Sequence, residues 1–229
     1  MLLWEDEDYM LINKPPFIAT LEDRADPNNI LKLAKAYHAD AQVCHRIDKE
    51  TSGVLAIAKH AEAYRSLAVQ FEERSVEKEY HAVVDGIHDL QDFKVDAPIY
   101  PMGKGIAKID QRRGKEAVTY FTTTTAFRQH TLLSCKPISG RMHQIRVHLS
   151  SIGAPIVGDE QYGGKPFYLS TLKKKYNLKK WTEEQPLIKR FALHAKRLAF
   201  KLPNGELKST EAPYPKDFNV LVKQLEKNA

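Results

Sequence analysis

Only two cysteines, Cys44 and Cys135, stand among 229 residues, and they form no C-x-x-C pair. That excludes a disulfide-stapled scaffold and argues against a zinc site, so two free thiols in a reducing compartment are expected. No apolar run approaches the roughly 20 residues needed to span a bilayer. The N-terminus, Met1-Leu2-Leu3-Trp4-Glu5-Asp6-Glu7-Asp8, turns acidic at once and lacks the basic start and apolar core of a secretory signal. Internal repeats and linker-like stretches are missing as well. A cytoplasmic protein with no membrane association is the expectation, and a monomer. What is present is ordinary for a globular chain: 42% apolar and 28% charged residues, with length enough for a full core. The formal charge of +6 suits an anionic partner without identifying it. Acid is missing altogether between Lys165 and Lys180, where six lysines, including Lys173, Lys174 and Lys175, alternate with Phe167, Tyr168 and Tyr176. Composition leaves two readings of that stretch open: a solvated insertion, or a phosphate-tracking surface with rings for stacking.

Periodicity predicts a mixture of strands and helices. Leu2 to Asn13 reads as a hairpin with Glu5 to Asp8 in its turn, ended by Lys14-Pro15-Pro16. Asp26-Pro27 reads as a helix start, with Ile30, Leu33, Ala34 and Tyr37 as the buried stripe. Val54 to Ala58 is an unbroken apolar run, the length of a strand buried on both faces. A second amphipathic helix follows over His60 to Arg74, then an alternating strand over Glu77 to Asp85. Lys104 to Lys115 is basic and glycine-bearing, a loop or hairpin. Val118 to Thr125 and Thr131 to Lys136 are strands. A helix is expected from Arg141 to Ile152 with Met142, Ile145, Leu149 and Ile152 on its apolar side. Leu193 to Leu202 and Glu206 to Thr210 form a hairpin, and Asp217 to Lys227 closes the chain as a helix.

The segment Cys44-His45-Arg46-Ile47-Asp48-Lys49-Glu50-Thr51-Ser52-Gly53 precedes the apolar run. A carboxylate at the rim of a core is open to tuning by burial and neighbours, and Arg46 two residues away suits a phosphate or a carboxylate. Read by itself, an Asp in this setting is more often a turn former or helix cap than a catalyst. The segment nevertheless resembles the HRLDxxTSG signature of the RluA-type RNA pseudouridine synthases, with Ile47 in place of leucine. Four further stretches resemble elements of the same family in the same order. Lys14-Pro15 resembles KPxG, with Phe17 where glycine is usual. Lys78 to Gly86 resembles KxYxAxVxG. Gly140 to Leu149 resembles GRTHQIRxHL, with Met142 for threonine. Gly153 to Gly163 matches GxPIxGDxxYG, read here as loop architecture and not as chemistry.

The resemblance implies an α+β fold, a mixed and largely antiparallel sheet flanked by helices with a central active-site cleft. It implies one catalytic domain over residues 1–229, a basic insertion at 164–190, and no small N-terminal RNA-binding module. It makes Asp48 the catalytic carboxylate, Tyr80 an active-site aromatic and Arg146 the basic residue that pairs with the carboxylate. Arg46 and the lysines Lys173, Lys174 and Lys175 are the expected RNA-binding residues, on ribosomal or transfer RNA. The implied reaction moves uracil from an N1 to a C5 bond on the same ribose, which needs no cofactor and no metal. It does need the nucleotide taken out of its stack. A non-catalytic RNA-binding module and a base-excising glycosylase are the competing readings.

Overall fold

The computed structural model describes residues 1–22, 27–103, 105–173, 176 and 183–228. The expectations for Asp26, Lys174 and Lys175 therefore lie outside the described residues. In chain order the elements are β1 (Leu2–Glu5), β2 (Tyr9–Lys14), α1 (Ile30–Tyr37), β3 (Gln42–Val43), β4 (Ser52–Ala58), α2 (Ala61–Glu72) and β5 (Glu77–Asp85). There follow β6 (Phe93–Asp96), β7 (Ile99–Gly103), β8 (Ile106–Ile109), β9 (Val118–Ala126), β10 (His130–Pro137) and α3 (Gln144–Ser151). The chain ends with β11 (Leu193–Lys201), β12 (Leu207–Glu211) and α4 (Lys216–Lys227). It divides into two compact units, Met1–Tyr80 with His194–Pro213, and His81–Leu193 with Tyr214–Ala229. No helix among the described residues is long and apolar enough to cross a membrane.

In the first unit the strand order is β1-β2-β4-β11, with β12 pairing β11 and β3 pairing β4. Strand β11 lies parallel to β4, and the other pairings within this unit are antiparallel. The sheet is therefore mixed, as expected. The continuous apolar run of β4 has a simple cause: both faces are covered. Val54, Ala56 and Ala58 join Tyr9 and Leu11 against Ala63 and Leu67 of α2. Leu55 and Ile57 join Met10 and Ile12 against Ile30 and Ala34 of α1. Alternation in β2 and β4 thus feeds two cores rather than one core and solvent.

Helix α1 is shorter than the sequence predicts. It starts at Ile30, capped by Asn29, whose side chain accepts the Lys32 amide at 2.9 Å. Its expected stripe is only half right, because Leu33 and Tyr37 are 48% and 68% exposed. Over two turns, Ile30 and Ala34 suffice to cover the sheet. In the second unit the order is β5-β10-β9-β6, while β7 and β8 form a separate hairpin. Helix α4 buries Phe218, Leu221, Val222 and Leu225, the stripe its spacing implies, and the fully buried Arg190 holds its first turn through Asp217 at 2.8 Å.

Candidate active site

The signature loop of the first unit is held almost wholly by bonds to backbone. Ile47 is buried, and its carbonyl accepts the Thr20 hydroxyl at 2.9 Å. Asp48 and Thr51 close a turn, the Thr51 amide donating to the Asp48 carbonyl at 3.0 Å. Ser52 donates to His194 Nδ1 at 2.9 Å, because His194 Nε2 is committed as donor to the Ala212 carbonyl at 3.2 Å. Gly53 has φ +117°, and a Cβ placed there would lie 2.1 Å from the Ala195 carbonyl of β11. No other residue type fits that position.

His45 fixes the other end of the loop. Its Nε2 accepts the Ala56 amide at 3.0 Å, and its ring lies 4.8 Å from that of Phe71. Desolvation, with Lys78 adding to it, pushes the imidazole down to about 3. It stays neutral, as its acceptor role requires. Lys78 itself is lowered to about 8, by desolvation first and Arg74 second. Lys14 is fully buried, and its ammonium donates to the carbonyls of Pro15, Ile18 and Lys49 at 3.0, 2.9 and 3.1 Å. It clamps the Pro-Pro turn onto the signature loop, a role that the sequence did not disclose. The next turn keeps the geometry of a glycine: Phe17 has φ +69°, with its side chain 49% exposed and its amide bonded to the Lys49 carbonyl at 2.8 Å.

Between these anchors Asp48 is half-buried, and Arg46 points out, exposed. Tyr80 packs on the cluster that holds Ile47, Leu55 and Ala195. Its phenol is pushed well above the ordinary tyrosine value, by burial first and by the negative charge of Asp48 second. Two of the three expected catalytic residues therefore share one electrostatic environment. A cavity of about 350 Å³ opens against the same loop, lined by Ala19, Thr20, Leu21, Glu22, Arg46, Ile47 and Lys49 and not by Asp48 or Tyr80.

The second unit holds Arg146. Helix α3 begins at Gln144, three residues later than the sequence predicts, because His143 adopts a left-handed conformation at φ +53°. The expected apolar stripe is also revised. Met142 is 37% exposed, whereas every residue from Gln144 to Leu149 is buried, Arg146 and His148 among them. These polar side chains are buried because each is paired. Gln144 accepts from the Ser139 hydroxyl at 2.7 Å and the Arg141 amide at 3.0 Å, and it donates to the Val118 carbonyl at 2.9 Å and to Thr119 at 3.0 Å. His148 donates from Nε2 to the Ala97 carbonyl and accepts the Thr119 hydroxyl at Nδ1, both at 2.9 Å. Desolvation lowers its basicity.

Arg146 makes a bidentate pair with Asp159, Nε to Oδ2 at 2.7 Å and Nη2 to Oδ1 at 2.8 Å, and Nη2 also reaches Gln161 at 2.9 Å. Its guanidinium lies 4.8 Å from the ring of Tyr162 and 4.2 Å from that of Phe191. The loop that the sequence offered as turns alone thus supplies the partners of Arg146. Of the expected RNA-binding lysines, Lys173 is half-buried.

With this geometry in hand, comparison with known proteins is specific. Residues 8–151 match the family model described as RNA pseudouridylate synthase. The ribosomal large subunit pseudouridine synthase D of Zymomonas mobilis is 34% identical over 98% of this chain and 72% of its own length. That of Pseudomonas aeruginosa is 36% identical over 95% and 69%. Among solved structures, human RNA pseudouridylate synthase domain containing 4 superposes with a TM-score of 0.74 at 27% identity, covering 98% of this chain and 92% of that one. Human RNA pseudouridylate synthase domain containing 1, at 23% identity and a TM-score of 0.67, shows the same fold. The class is thereby defined as an RNA-modifying isomerase. The chain belongs to the RNA pseudouridylate synthase family, whose reaction converts uridine in RNA to pseudouridine.

Proposed function

We propose that this chain isomerises uridine in ribosomal RNA, with Asp48 as the carboxylate that engages ribose and uracil. The observation that supports this reading is that Tyr80, packed on the same cluster as Ile47 of the Asp48 loop, has its phenol pushed up by desolvation first and by the nearby carboxylate second. In the reaction the C1′–N1 bond breaks, the uracil turns, and a C1′–C5 bond forms while the C5 proton is lost and N1 gains one. Nothing is oxidised or reduced. Asp48 acts in its ionised form, as nucleophile or base. Tyr80, kept neutral, offers an apolar ring to the uracil and an O–H donor, which favours those roles over that of a phenolate base. Arg146 is the third catalytic residue by its place in the matched motif. Arg46, exposed beside the catalytic loop, holds the displaced nucleotide or its phosphates. Lys173, Lys174 and Lys175 add affinity for the RNA backbone. The protein acts as a cytoplasmic monomer. Both compact units together make the catalytic domain.

Ribosomal RNA is chosen because relatives matched over 98% and 95% of this chain carry that substrate in their names. The test is incubation with unmodified transcripts of large-subunit ribosomal RNA, small-subunit ribosomal RNA and transfer RNA. Retained RNA mass together with a new alkali-resistant carbodiimide adduct at one or a few uridines of the large-subunit RNA is the expected result. Loss of a base would establish a glycosylase, and binding without either change would establish a non-catalytic module.

A further inference from the structure

Two consecutive residues of the loop after α3 each touch Arg146 at one end and the β7–β8 hairpin at the other. Gln161 accepts from Arg146 Nη2 at 2.9 Å and donates through Nε2 to the carbonyl of Gly105, at the turn of the hairpin, at 3.1 Å. Tyr162 lays its ring 4.8 Å from the Arg146 guanidinium, while its hydroxyl accepts the amide of Ala107 on β8 at 2.9 Å. Because that oxygen accepts from Ala107, its own proton goes to His143 Nδ1, 2.8 Å away. The same tyrosine packs on the small core formed by Ile99 and Ala107 of the hairpin with Val147, the neighbour of Arg146 in α3.

A buried guanidinium held by Asp159 needs no hairpin to remain paired, so these further bonds do something besides satisfying it. They give the guanidinium a second frame of reference, one that is exposed. The hairpin presents Met102 and Ile106, 56% and 39% exposed, and just beyond it lie the exposed Arg112 and Arg113, the latter paired with Asp110 at 2.9 Å as the half-buried Lys108 of β8 is at 3.5 Å. Such a mixture of exposed apolar and cationic groups suits a nucleic-acid strand. Sub-ångström placement of a charged group is what catalysis is most sensitive to.

We propose that Gln161 and Tyr162 are positioning residues that tie the placement of Arg146 to the β7–β8 hairpin, so that RNA lying against the hairpin sets the guanidinium for reaction. The inference rests on Arg146 being a catalytic residue. It assigns to the hairpin a role in turnover as well as in affinity.

The test compares Gln161→Ala and Tyr162→Phe with the parent on two RNAs: a large-subunit ribosomal RNA transcript, and an oligoribonucleotide of the modified segment too short to span the hairpin. The single-turnover rate, RNA Kd and Tm are measured for each. On the long RNA both variants are expected to lose about ten-fold in rate with Kd within about two-fold. On the short RNA, parent and variants converge, since the hairpin contacts no RNA in any of the three. A parental rate of both variants on the long RNA overturns the proposal. Equal losses on both RNAs accompanied by a fall in Tm also overturn it, since those mark a merely structural role. Arg146→Lys is measured alongside. If it keeps parental turnover, the catalytic reading of Arg146 has failed; if it alone loses turnover, the link through Gln161 and Tyr162 has failed.

Discussion

The two motif-bearing regions solve the same problem in opposite ways. In the first unit, the loop around Asp48 is pinned by side chains reaching backbone: Lys14 to three carbonyls, Thr20 to the Ile47 carbonyl, His45 to the Ala56 amide. In the second, Arg146 is pinned by other side chains, Asp159, Gln161, Tyr162 and Phe191. A backbone anchor fixes a loop's path without calling on the neighbouring side chain, so it leaves positions such as Phe17 and Ile47 free to vary in residue type. A side-chain anchor is specific to both partners. Substitutions should therefore cost most in the second region.

Arg146→Ala carries the largest expected loss of stability, because it strands Asp159, 2% exposed, as a buried charge. About 3–5 kcal/mol is expected, read from the urea midpoint. An unchanged midpoint would erase the contrast between the two regions. Lys14→Met comes next, leaving the carbonyls of Pro15, Ile18 and Lys49 without their shared donor, at a cost of about 2–3 kcal/mol. Parental stability of the Lys14→Met variant would show that the clamp is ornamental.

The third expectation concerns pH. The folded state holds His45 at about 3, below its ordinary 6.5, so between those values the unfolded chain binds a proton that the native loop refuses. Its contribution to stability is thus complete above pH 6.5 and is lost as pH falls through the window towards 3. The slope it adds is at most about 1.4 kcal/mol per pH unit. His45→Gln, which keeps an acceptor for the Ala56 amide but does not titrate, should flatten the acid limb of a denaturation series. An identical limb would assign acid sensitivity elsewhere. The smallest effect is a gain: Phe17→Gly relieves a left-handed φ of +69° at an exposed side chain, and about 0.5–1 kcal/mol of added stability is expected. A fall in Tm would mean that the ring does more than its exposure suggests.

Much of the fold was legible in the residues. Strand β5 and helix α4 lie where alternation and the Phe218, Leu221, Leu225 spacing put them; in α4 period and burial agree, whereas in β5 the consecutive Ala82, Val83 and Val84 are all buried. The first hairpin was equally plain, because Asp6 makes its turn with its own side chain. Boundaries slipped where local polar chemistry overrode period: Asn29 begins α1, and the left-handed His143 delays α3. Strand β6 escaped because only Val95 in it is buried. The placing of Asp48 and Tyr80 at one site came from motif resemblance, not from spacing. The partners of Arg146 were not visible. Nothing in a glycine-rich turn pattern announces that its Asp and Tyr face an arginine thirteen and sixteen residues back, and only a buried guanidinium, found in three dimensions, demands them.

The proposed chemistry turns on Asp48. The most direct measurement is pseudouridine formation on large-subunit ribosomal RNA transcript by Asp48→Asn, beside the parent, with the RNA Kd of each. The expected result is no detectable product from the variant with affinity within about three-fold, since the amide is isosteric and removes only the charge that acts in the reaction. Product formed by Asp48→Asn at a substantial fraction of the parental rate would contradict it.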